Sequence, residues 1–67
     1  MDETNAAEIA GDIAADLEHS LGKCPWGTEI PPAGTARRKV EAARCKIADA
    51  AILLREAESL YREKASQ

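Results

Sequence analysis

The groups best able to do chemistry in this sequence are cations. Arg37, Arg38, Lys39, Arg44 and Lys46 fall within ten residues that hold a single carboxylate, Glu41. The first three follow Gly34 and Thr35. A helix starting there carries them on its first turn, where backbone N–H groups lack partners and the macrodipole is positive. Cations gathered at such an end form a cradle for phosphate, with the Thr35 hydroxyl close by. The same cations could instead pair with carboxylates, because residues 1–22 hold Asp2, Glu3, Glu8, Asp12, Asp16 and Glu18 and no Lys or Arg. Trp26 lies in a stretch rich in Pro and Gly, and the chain has no Phe. Its ring can stack on a base, anchor a protein partner or cap a small core. The candidate ligand-binding set is Trp26, Thr35, Arg37, Arg38, Lys39 and Arg44.

Catalysis finds little support. His19 is the one imidazole, with no Ser or Cys spaced to suggest a nucleophile and its base and no second ligand for a metal. Cys24 and Cys45 are too far apart for a C-x-x-C redox pair and fit no zinc pattern. Asp12, Asp16, Glu56, Glu58 and Glu63 read as solvated faces or ion pairs. The expectation is a non-enzymatic protein without metal or cofactor. A net charge of −3 argues against a direct reader of nucleic acid. No leader-like segment and no run near the ~20 apolar residues of a membrane span is present, which points to a cytoplasmic protein with free thiols and no membrane partner.

The elements that must position these groups are two helices. Asn5 and Glu8 have the spacing of a capping pair, and Ala6 to Leu21 reads as the first helix. Ile9, Ile13, Leu17 and Leu21 recur every four residues, with Ala6, Ala10 and Ala14 on the same broad face. Gly22 stands where a helix C-terminal glycine belongs, and Gly11 suggests the close approach of another backbone. Residues 22–35 hold three Pro and three Gly and form a loop, from which Trp26 and Ile30 are expected to fold back over the hairpin. Thr35 is an N-cap, and residues 36–64 form one long helix. Along it Val40, Ala43, Ile47, Ala50, Leu54, Ala57 and Tyr61 step by three and four, an uninterrupted heptad seam. Leu53 and Leu60 widen that stripe on one side, and Ile52 lies away from it. The fold class expected is an all-α antiparallel helical hairpin, a single domain over residues 1–67.

Size then bears on function. A single domain of 67 residues, with 14 Ala but only five Leu and five Ile, has a marginal core and needs a disulfide, a metal or self-association. The lengths agree: a first helix of roughly 24 Å covers about half of a second of roughly 43 Å. On this reading Ile52, Leu53, Leu60 and Tyr61 belong to the uncovered half. Val40, Ala43, Ile47, Ala50, Leu53, Leu54, Ala57, Leu60 and Tyr61 form the expected oligomer or partner interface.

The segments C-P-W-G-T-E at 24–29, K-V-E-A-A-R-C at 39–45 and I-A-D-A-A-I at 47–52 resemble a pattern in small phage helical-hairpin proteins. That pattern joins a Cys-Pro loop with an acidic residue to a helix of the type K-L-E-E-A-R-M, W-A-N-A-A-I. It is similar to the hairpin domain of the anti-CBASS and anti-Thoeris cyclic-nucleotide sponges. The resemblance implies a phage protein in the host cytosol, a homo-oligomer that sequesters a cyclic nucleotide immune signal between protomers. Lys39 and Arg44 are the positions that match. Beside this anti-defence reading stands a second: a small inhibitor or regulator that docks a helical face onto a host protein.

Overall fold

A computed structural model describes residues 1–23, 26 and 29–67 of the chain. Among the described residues there are two helices, α1 over Glu3–Leu21 and α2 over Thr35–Ala65, and they pack against each other as a hairpin. Three approaches give the direction. Gly11 of α1 meets Glu58 of α2, Glu18 meets Arg55, and Leu21 meets Arg44. No helix among the described residues is long and apolar enough to cross a membrane.

The helix ends follow local chemistry. Asp2, not Asn5, is the N-cap of α1: its Oδ1 accepts the Asn5 amide at 2.7 Å. A carboxylate there satisfies an unpaired amide and also faces the positive pole of the helix, which lets α1 begin earlier than the Asn5–Glu8 spacing suggests. Gly22 is the C-cap but sits at φ −71°, ψ −14°, a conformation open to any residue. Thr35 is the first helical residue of α2 rather than its cap. That place belongs to Gly34, with extended backbone and no side-chain cap hydrogen bond.

Packing between the helices departs from the expected stripe. The fully buried residues of α1 are Ala7, Ala10, Gly11 and Ala14, and Ala51 alone is buried on α2. Leu17 and Leu21 are half-buried, whereas Ile9 and Ile13 remain 41% and 45% exposed. The reason is steric. A line of Ala and Gly at steps of three, one and three presents a smooth ridge, and the larger side chains of α2 close onto it. Turning α1 to bury the isoleucines would hold the helices further apart. On α2 the side facing α1 runs Val40, Arg44, Ile47, Ala51, Leu54 and Glu58, also a step of fours and threes. It is offset from the heptad seam, so Val40, Ile47, Ala50, Leu54 and Ala57 are half-buried while Ala43 and Tyr61 are exposed.

Length is not what exposes the large apolar residues of α2. At 1.5 Å per residue, α1 and α2 are roughly 28 and 46 Å long, and the three cross-helix approaches place α1 along the C-terminal part of α2. Ile52, Leu53, Leu60 and Tyr61 therefore lie beside α1 in register. They are 58%, 64%, 61% and 38% exposed because they point away from it. The stretch that α1 leaves free is the N-terminal one.

Such a hairpin has little interior. Each buried Ala hides about one methyl group, worth roughly 0.8 kcal/mol, against about 1.5–3 kcal/mol for Leu or Ile. No large side chain is fully buried among the described residues. The molecule measures 53 × 19 × 15 Å with a radius of gyration of 15.8 Å, where a compact chain of this length has about 11 Å.

Candidate functional site

The basic residues divide into two groups. Arg44 reaches back across the hairpin, its Nη2 donating to the Leu21 carbonyl at 2.9 Å and its Nη1 to the Lys23 carbonyl at 3.0 Å. A planar fork with several donors suits this task, because the last carbonyls of a helix lack partners and carry the negative end of its dipole. Arg37 is tied down as well: Nη1 donates to the Pro31 carbonyl at 3.2 Å, and Nε pairs with Glu41 at 3.3 Å. Arg38 and Lys39 are exposed and have no ion pair among the described residues. Thr35 is exposed at the start of α2. The candidate cradle is thus split, with two guanidinium groups holding backbone and two cations facing solvent.

Trp26 is half-buried, while Ile30 is 70% exposed and does not fold back over the hairpin as its size suggested. Pro25, Gly27, Thr28 and Cys24 lie outside the described residues, and with them any pairing of Cys24. Cys45 is a free, exposed thiol. Among the described residues no group of three His, Cys, Asp or Glu could hold a metal ion.

A second charged cluster went unread in the sequence. Arg55 binds both oxygens of Glu18 across the helices, Nη2 to Oε1 at 2.6 Å and Nε to Oε2 at 3.0 Å. Its Nη1 also reaches Glu58 Oε1 at 2.9 Å, and Arg62 Nη2 holds Glu58 Oε2 at 2.9 Å. The hydrogen bond from Arg55 draws the Glu18 carboxyl below its ordinary pKa of 4.5, and those from Arg62 and Arg55 do the same to Glu58. The hydrogen bonds to Glu18 and Glu58 raise the pKa of Arg55 in turn. Gly11 leaves room for this arrangement: a Cβ there would stand 2.6 Å from Glu58 Oε2, and the flexible end of that side chain would have to shift. What approaches the glycine is a carboxylate, not a backbone. The spacing of Arg55, Glu58 and Arg62 by three and four was the available signal. The cross-helix partner depended on register.

The pair between Glu18 and Arg55 also orients the molecule. At about 100° per residue, Gly11 and Glu18 lie to one side of the buried line of α1, with Leu17, Ile13 and Ile9 to the other. On α2, Arg55, Ala48 and Ile52 lie to one side of its inward line, with Leu54, Ala57 and Tyr61 to the other. Because Glu18 meets Arg55, the charged sides share one face of the hairpin and the apolar sides share the opposite face. By this stepping Ile9, Ile13 and Leu17 of α1 fall on the same face as Leu54, Ala57 and Tyr61 of α2. A shallow groove of about 430 Å³ at Ala57, Leu60 and Tyr61 runs along its outer edge. Another, of about 510 Å³, lies on the charged face between Leu21, Ala48, Ile52 and Arg55.

No protein-family model, no curated protein and no solved structure matches the chain.

Proposed function

We propose that this chain is a non-enzymatic helical binding module that acts by association, with the outer apolar face as its contact surface. One observation carries the reading: among the described residues the buried hydrophobic ones are all Ala, while isoleucines, leucines and a tyrosine line the outside. Scattered surface Leu or Ile need no explanation, but Ile9, Ile13 and Tyr61 exposed on one face of so thin a molecule support a contact surface there. Covering that face stabilises the folded chain, so the melting temperature should rise with protein concentration if copies cover it. Circular dichroism melts from micromolar to millimolar chain are the direct test. A concentration-independent transition, unchanged by Ile13→Glu, would sink the reading.

A phosphorylated nucleotide is the second ligand class, favoured by Arg38 and Lys39 standing exposed at the positive end of α2. Sequestration of a cyclic nucleotide, as the sponge resemblance implies, would use these two cations with Trp26 stacking on a base. Its signature is a salt-sensitive rise in melting temperature with cyclic dinucleotides, absent with an uncharged nucleoside and lost in Arg38→Glu. No shift with any nucleotide removes this class and leaves the protein-binding reading.

A further inference from the structure

We infer that the occupant of the outer apolar face is a second copy of this chain, turned by a half-rotation about the long axis so that α1 of each copy lies across α2 of the other. The inference rests on the association reading above and adds to it a partner and an orientation.

Area comes first. The hairpin exposes 5119 Å², whereas a compact chain of 7.2 kDa exposes about 4,100 Å². The surplus of roughly 1,000 Å² per copy is close to the ~800 Å² per partner that a stable interface buries. A pair of hairpins joined face to face would also gain the interior that neither has alone, with Ile9, Ile13, Leu17, Leu54, Ala57 and Tyr61 meeting their equivalents as the middle of a four-helix arrangement.

Charge along the two edges of the face then selects the orientation. By the same helical stepping, the α1 edge carries Asp2 and Asp16 and no cation, while the α2 edge is net basic, with Lys39, Lys46 and Lys64 against Asp49 and Glu63. All seven are exposed. A half-turn about the long axis lays each acidic edge on a basic one. The other two-fold arrangement, end over end, stacks α1 on α1 and sets the acidic edges together. Arg37 and Arg38 point away from this face, so their charges do not oppose the first arrangement at contact distance. A two-fold axis makes every such contact occur twice.

Sedimentation equilibrium of the full chain at low and high salt tests this. The expected result is a dimer that is lost in Ile13→Glu and weakened by salt. Asp16→Lys and Lys46→Glu should each raise its Kd by roughly tenfold, since each acts at two symmetric contacts, and the double variant should restore it. Both positions are exposed and outside the hairpin's own ion pairs, so these variants remain informative even if Ile13→Glu unfolds, which circular dichroism would reveal. Tighter pairing of Asp16→Lys would overturn the inference in favour of the end-over-end dimer. A dimer indifferent to Ile13→Glu, or a larger closed assembly, would overturn it while leaving association intact. A monomer throughout, with a concentration-independent melt, would remove both.

Discussion

Ile13 and Ala14 are neighbours in sequence and belong to opposite regimes of packing. Ala14 is fully buried against α2, as is Ala7 two turns earlier, whereas Ile13 is 45% exposed. On α1 the inner seam is built from Ala and Gly, while the isoleucines stay outside. In a monomer designed to stand alone the assignment would be reversed, because area removed from water scales with side-chain size. Small residues inside achieve closeness between two helices. The large residues outside add little to the hairpin's own interior, which is the contrast that the association proposal builds on.

The sharpest break of that contrast is to place a large side chain on the seam. Ala14→Leu has no space to occupy and should cost about 1–3 kcal/mol by prising the helices apart. Ile13→Ala, one position away, should cost well under that in dilute protein, and only at high concentration should the gap close. Urea melts of both variants at two concentrations measure the difference. Equal effects in dilute solution would show that both residues face the same interior.

Arg44 tests what else joins the helices besides the alanines. Arg44→Gln removes two charge-assisted hydrogen bonds to the C-terminal end of α1 and should destabilise by about 1–2 kcal/mol. Arg44→Lys, which keeps the charge but loses the fork, should recover only part. Amide exchange at Leu21 and Gly22 reads the fraying directly. Unchanged protection would remove the capping role.

The smallest effect expected is on the charged face. Glu18 and Glu58 have carboxyl pKa values lowered on folding by their arginine partners. A group whose pKa is depressed in the folded state contributes stability that is complete above its unfolded value and drains as pH falls through the folded one. Melting temperature should thus hold steady above the ordinary value of 4.5 and fall below it. Glu58→Gln should flatten that acid limb. An acid limb of the same slope in the variant would place its origin elsewhere.

How far this contrast was legible varies by level. The two helices were readable because Pro and Gly cluster between two periodic stretches, and the residues misjudged were the two N-caps, Asp2 standing where Asn5 was expected and Gly34 where Thr35 was. Which face of α1 turns inward was not readable. The Ile stripe and the Ala–Gly line each form a helical face, and the choice is made by how closely α2 can approach. The fate of the cations shows the same limit. Nothing near Arg44 in sequence reveals that it serves carbonyls more than twenty residues back. Its place on the inward line of α2, between Val40 and Ile47, was the available hint.

The two arginines that grip backbone have a last consequence for the connection between the helices. Arg44 holds the chain at Leu21 and Lys23 as it leaves α1, and Arg37 holds it at Pro31 shortly before α2 begins. Both grips land on backbone carbonyls, groups that every residue carries. Exchanging the side chain at Leu21, Lys23 or Pro31 therefore leaves the acceptors in place, and the two clamps tolerate sequence change at the positions they hold.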